Sequence, residues 1–311
     1  MESKCSAFWH HTNVRSDNRV FPCCRFKTPI NIFHGNLENI LQTDEYIKLR
    51  EQSLANIPIK GCEKCYYEEA LGKESLREQF NRDYDTKSIS LEFLEIGFDN
   101  ICNLTCDGCW GEFSSAWAKK ENPNVVHVRS TVDIPKVPNS VKKVLFLGGE
   151  PLMTTRHKKF LELIDHKHLV DVIYNTNGTF LLDHNLHNLL NQFKSVKFIV
   201  SIDGVGDLNS RVRSGSDWNT VLNFIEQIKK SSFKLVIHSV LHLNNWHGFS
   251  GLADFVEKNG AEWTTNILTY PKYLDIANIS NKKKLIEFFN SINIPNKEYL
   301  INHIVGENSN V

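Results

Sequence analysis

The feature that most constrains this chain is the placement of its cysteines. Cys5, Cys23, Cys24, Cys62, Cys65, Cys102, Cys106 and Cys109 all fall within the first 109 of 311 residues, and the remaining 202 contain none. A disulfide framework staples the whole of a small secreted domain. Clustering at one end of a long chain points to metal instead. Two spacings stand out: Cys102, Cys106 and Cys109 form C-x3-C-x2-C, and Cys62 and Cys65 form C-x2-C. Three thiolates on one tight loop suit an iron–sulfur cluster that keeps one iron free of protein ligands. An open iron can coordinate a substrate or cofactor, which a closed tetrahedral zinc site cannot do. A zinc loop completed by a distant histidine is the competing reading.

Composition removes several classes. With 41% hydrophobic and 23% charged residues, the chain is too apolar for disorder and long enough for one large α/β domain plus an appendage. Thirty-six basic side chains balance 36 acidic ones, which argues against bulk electrostatic nucleic-acid binding. No apolar run reaches the ~18 residues of a membrane span. The N-terminus carries no apolar core of signal-peptide length, so a cytoplasmic location is expected.

From about residue 90, strand-like runs at 91–98, 141–147, 170–174, 196–202, 234–243 and 262–268 alternate with helical patterns at 157–165, 185–193, 221–230 and 249–259. Six such alternations imply a parallel sheet with outer helices, curved as an incomplete barrel. Chemistry collects at the carboxyl edge of such a sheet. There strand one runs into Cys102, and strand two ends in Gly148, Gly149, Glu150 and Pro151. Strand three ends in Asn175-Thr176-Asn177-Gly178, and strand four in Ser201-Ile202-Asp203-Gly204. Gly, Asn and Asp are ordinary loop-formers. Together, on consecutive strand ends, these residues read as the rim of one cavity.

The C-x3-C-x2-C loop after strand one and the GGEP turn after strand two make the chain resemble the radical S-adenosylmethionine (SAM) enzymes. The segment 201–218 is similar to the strand-four region of that superfamily's peptide-modifying branch. The resemblance covers about residues 90–270 and implies a partial (β/α)6 barrel. It implies that Cys102, Cys106 and Cys109 hold a [4Fe–4S] cluster whose fourth iron binds SAM. One-electron reduction then cleaves SAM to a 5′-deoxyadenosyl radical that takes a hydrogen atom from a substrate. It implies that Gly148, Gly149 and Glu150, in the turn that ends at Pro151, meet the SAM amino group and that Asn177, Ser201 and Arg213 match positions for ribose and carboxylate contacts, with Asp203 at the cavity rim. A guanidinium such as that of Arg213 can grip a carboxylate with two hydrogen bonds; the plainer reading is a solvated arginine. Many members place an aromatic residue just before the third cysteine. Here that position is Gly108, with Trp110 after the cysteine as either an adenine-facing surface or a core residue.

The N-terminal order Cys5, Cys23-Cys24, Cys62-x2-Cys65 resembles the twitch, or half-SPASM, module, a small auxiliary-cluster domain set here before the barrel. The resemblance implies a second [4Fe–4S] cluster on Cys5, Cys23 or Cys24, Cys62 and Cys65. A four-thiolate zinc site is the alternative, with His10, His11 and His34 nearby. The expected division is an auxiliary module over 1–88, the barrel over 89–275, and a helical extension with a polar tail over 276–311. The run 68–83 is polar with helical spacing, either a solvated helix or a bridge to the barrel mouth.

The expected function is radical SAM chemistry on a peptide or protein side chain. A sugar or other small molecule is the alternative substrate, and a one-electron donor such as flavodoxin or ferredoxin is the expected partner. A zinc-binding scaffold or a plain electron carrier would not explain three special turns on successive strand ends.

Overall fold

The computed structural model describes residues 3–124, 128 and 132–306. The polar tail at residues 307–311 lies outside the described residues.

Short strands open the chain: β1 (His11–Val14), β2 (Arg19–Phe21) and β3 (Asn31–Ile32). Then come β4 (Phe93–Ile96), β5 (Thr105–Cys106), β6 (Lys143–Phe146), β7 (Asp171–Thr176), β8 (Ser195–Ser201), β9 (Arg213–Ser214), β10 (Lys234–Leu241) and β11 (Glu262–Ile267). Among the described residues, nine of them form one sheet in the order β11-β10-β8-β7-β6-β4-β1-β2-β3. The six expected barrel strands are β4, β6, β7, β8, β10 and β11. They lie side by side in chain order and pair in parallel, as successive right-handed crossovers require. The chain's strand-like runs overshoot these bounds by one to three residues at most ends, where Gly, Asn and Asp turn the chain into the cavity rim.

The pairing at the near edge joins the N-terminal segment to this sheet. β1 pairs in parallel with β4, matching His11 with Phe93 and Asn13 with Glu95. β2 and β3 then continue antiparallel. The sheet therefore runs across the 88/89 boundary.

Among the described residues twelve α-helices accompany the strands: α1 (Ala7–His10), α2 (Asp44–Leu54), α3 (Glu63–Ala70), α4 (Leu76–Asp83), α5 (Ser115–Glu121), α6 (Arg156–Glu162), α7 (His184–Leu190), α8 (Asp207–Val212), α9 (Trp218–Lys229), α10 (Phe249–Lys258), α11 (Lys282–Ser291) and α12 (Lys297–Val305). Strands β7 and β8 alternate buried with half-buried positions. One face packs under the helices, and the other lines an interior chamber. The packed face joins Phe160, Leu190, Phe224, Ile228 and Leu252 to Val144, Val172, Tyr174 and Phe198. A second core places Leu285, Phe289, Leu300 and Ile304 of α11 and α12 against Leu71 and Leu241. The C-terminal helices thus brace the N-terminal segment against the barrel.

The polar run 68–83 is not one solvated helix. It breaks at Gly72 (φ 83°), and α4 restarts at Ser75, whose side chain and that of Glu78 cap each other's backbone. Glu68 is 1% exposed. It is ringed by Lys73 at 3.0 Å, Arg25 at 3.6 Å and Lys64 at 3.7 Å. Lys73 also donates to Asn266 of β11. The polarity of this run serves a buried ion cluster that ties α3 to the far barrel strand.

Candidate functional site

A cavity of about 420 Å³ opens at the carboxyl edge of the barrel strands. Cys102, Cys106 and Cys109 line it, as do Gly148, Gly149, Glu150, Asn177, Ser201, Asp203 and Arg213. The four strand-end turns therefore share one chamber. Pro151 is buried beneath the turn rather than on its wall. Trp110 lies outside the chamber lining, 39% exposed, with its ring edge-on to Phe113 and Tyr270.

Hydrogen bonds hold the cysteine loop in place. Ser114 Oγ donates to Leu104 O at 2.7 Å, Trp117 Nε1 to Cys106 O at 2.9 Å, and the Cys102 amide to Ser115 Oγ at 3.1 Å. The GGE turn is laced to the same loop through Gly149 N to Asp99 O at 3.1 Å and Glu150 N to Ile101 O at 2.7 Å. That approach requires glycine. A Cβ on Gly148 (φ 118°) would sit 2.4 Å from Asp99 O, and one on Gly149 would sit 2.2 Å from Ile101 O.

Two further links complete the wall. Glu150 accepts from Asn177 N at 2.6 Å, Thr176 Oγ1 at 2.8 Å and Leu152 N at 3.1 Å. Burial nevertheless pushes its carboxyl up to about 7. Strand β9 pairs with β5, setting Arg213 opposite Cys106. Arg213 is not solvated: it donates to Asp203 Oδ2 at 2.6 Å, and its buried Nε has no hydrogen-bond partner. Asp203 Oδ1 accepts from Val240 N at 2.7 Å, tying β8 to β10.

The remaining cysteines separate. Cys5, Cys23, Cys62 and Cys65 line a second, small cavity with Phe8, Phe26 and Arg77. Cys24 lines the large chamber. Among the described residues no three His, Cys, Asp or Glu side chains are gathered closely enough to hold a single metal ion. The cysteines ring two cavities instead. All eight are free of disulfides, and burial raises the thiol pKa of every one of them. Such thiols are neutral until a metal displaces their protons. Two sets of thiols, one half-buried beside an orphaned guanidinium nitrogen and a glycine cradle and the other buried, fit iron–sulfur ligation with an anionic cofactor group at the first.

Sequence reasoning missed the wall that the N-terminal hairpin contributes. Asn13, Arg15, Asp17 and Arg19 line the chamber. Arg15 meets Glu112 at 3.3 Å; Arg19 binds Asp17 at 2.6 Å and also Glu112. The one available signal was Glu95, a charge inside the apolar run 91–98.

The family model of the radical SAM superfamily matches residues 97–256, just over half of the chain. The chain belongs to the radical SAM superfamily. A second model, for an iron–sulfur cluster-binding domain of the SPASM type, matches residues 5–66. This radical SAM enzyme thus carries an auxiliary iron–sulfur module ahead of its barrel, and SAM and [4Fe–4S] clusters are its cofactors. Among curated relatives, the GTP 3′,8-cyclase of Alkaliphilus oremlandii is 24% identical over 177 residues, 56% of this chain and 54% of that protein. The GTP 3′,8-cyclase of Campylobacter fetus subsp. fetus is 23% identical over 219 residues, 69% and 65% of the two chains. The chain spans about half to two thirds of the length of these relatives. Similar solved structures include native anSMEcpe with bound AdoMet (19% identity, 64% of this chain and 60% of that one, TM-score 0.49). Another is Streptococcus suis SuiB bound to S-adenosylmethionine (16% identity, 84% and 51%, TM-score 0.44). No helix among the described residues is long and apolar enough to cross a membrane.

Proposed function

We propose that Cys102, Cys106 and Cys109 hold the SAM-binding [4Fe–4S] cluster and that the enzyme acts on a peptide or protein side chain. The observation that carries the reading is the shared chamber of these cysteines with the turns after β6, β7 and β8. Reductive cleavage of SAM at the cluster supplies a 5′-deoxyadenosyl radical, which removes a hydrogen atom from the substrate. The chain's own residues position the cofactor. Glu150, buried and near neutrality, accepts the SAM amino group. Gly148 and Gly149 let the backbone approach it. Asn177 and Ser201 face the ribose, and Arg213, anchored by Asp203, presents its free Nε to the carboxylate. Cys5, Cys23, Cys62 and Cys65 hold the auxiliary cluster of the 1–88 module, with the barrel over 89–275 and the helical extension after it. A flavodoxin- or ferredoxin-type donor supplies the electron.

Charge on the chamber wall supports a peptide. Arg15, Arg19 and Arg213 line it, and each is paired with a carboxylate. A nucleoside triphosphate brings several negative charges and calls for cations in excess. The likeness to proteins named GTP 3′,8-cyclase favours the second reading, a nucleotide or other small molecule. The rate of 5′-deoxyadenosine formation separates the two. A cell-extract peptide fraction that raises it, with GTP inert, supports the peptide; stimulation by GTP alone contradicts it.

A further inference from the structure

Cys23 and Cys24 are adjacent, yet their surroundings differ. Cys23 is buried in the second cavity with Cys5, Cys62 and Cys65. Cys24 is open to the large chamber. Cys24 lies beside Glu95, which is 2% exposed. Glu95 also accepts from Asn13 Nδ2 at 2.6 Å. His11 Nδ1 lies 2.7 Å from the Pro22 carbonyl, which can only accept, so Nδ1 carries a proton. His11 Nε2 then faces Glu95 Oε1 at 3.7 Å. Asn13, which lines the chamber beside Cys24, leaves its buried Oδ1 without a hydrogen-bond partner. An unpartnered buried carbonyl oxygen on a chamber wall awaits a donor from a ligand.

We propose that Cys24 is a catalytic residue that donates a hydrogen atom to the substrate carbon radical, with Asn13 positioning the substrate. This rests on the radical reading of the chamber. In the step, the S–H bond of Cys24 breaks homolytically and a C–H bond forms. The carbon radical is reduced by one electron and the thiol is oxidised to a thiyl. A low-potential one-electron donor of the flavodoxin or ferredoxin class returns the electron, and the proton comes from solvent, to which Cys24 is exposed. The substrate thus ends a turnover with a new hydrogen from solvent, which identifies the reaction class as epimerisation or another change without net oxidation.

The test uses the reconstituted holoenzyme. Thiol hydrogens exchange with D2O, and SAM with dithionite, without added substrate, leaves the radical to draw on hydrogens of the chamber wall, where Cys24 lies. Wild-type enzyme yields 5′-deoxyadenosine carrying deuterium, and Cys24→Ala yields unlabelled product. Undiminished labelling in Cys24→Ala overturns the proposal. Folding is checked by iron content, which Cys24→Ala retains in full; loss of iron marks Cys24 as a ligand and also overturns it. If the wild type forms no 5′-deoxyadenosine at all, the reading of the chamber itself fails and the donor role falls with it.

Discussion

Cys23 and Cys24 share a peptide bond and open into different cavities, one with the auxiliary cysteines and the other with the C-x3-C-x2-C loop. The turn after β2 passes between the two sites, so the N-terminal segment is structurally part of both.

Iron should follow that partition. Replacing Cys102, Cys106 and Cys109 together by Ala should remove about half the iron of a reconstituted protein holding about eight atoms per chain, and abolish SAM cleavage. Replacing Cys5, Cys62 and Cys65 should remove the other half. Iron and sulfide analysis of the two triple variants reads this directly. Loss of nearly all the iron from either variant would mean that the sites are not independent.

Glu150 makes the apoprotein pH-sensitive. Its folded carboxyl stands at about 7 against an ordinary 4.5. The folded state therefore binds the proton more tightly, and the contribution is fully present below pH 4.5 and lost as pH rises through 7. The cost reaches about 3 kcal/mol above pH 7. Urea unfolding at pH 5 and pH 8 should show this loss in the wild type and a much smaller one in Glu150→Gln. Matching pH slopes for the two proteins would contradict it.

The candidate SAM chamber was legible because its residues are turn-formers and cysteines at strand ends, where local sequence dictates local geometry. The six barrel strands were legible for a similar reason, since each is followed by a helical pattern. The β1–β4 pairing was not. His11, Thr12, Asn13 and Val14 are all buried, so they show no alternation, and their partner lies some 80 residues away. The ion cluster around Glu68 was hidden too, because buried paired charges and solvated ones look alike in sequence. Arg213 illustrates the same ambiguity from within the chamber: only its pairing with Asp203 and the β5–β9 ladder distinguish it from a surface arginine.

The glycine cradle should tolerate no side chain. Gly149→Ala would press a Cβ into the Ile101 carbonyl at 2.2 Å, costing about 3 kcal/mol and displacing the loop that begins at Cys102. Thermal unfolding of the apoprotein and iron content after reconstitution should both fall. A variant with unchanged melting and iron would show that the turn can move away freely.

Glu68→Ala leaves Arg25, Lys64 and Lys73 without their shared carboxylate. Removing one partner of a buried charge group costs about 3–5 kcal/mol. Denaturant unfolding should show that loss, whereas Lys64→Met, at the edge of the group, should cost less. Equal small effects would mean that the cluster is solvated.

The central claim is that two cysteine sets hold two iron–sulfur clusters and that one of them cleaves SAM. Anaerobic reconstitution with iron and sulfide, metal counting, and then dithionite with SAM and chromatography test it most directly. The account predicts about eight irons per chain and 5′-deoxyadenosine in the product mixture. Zinc in place of iron, with SAM left intact, would contradict it.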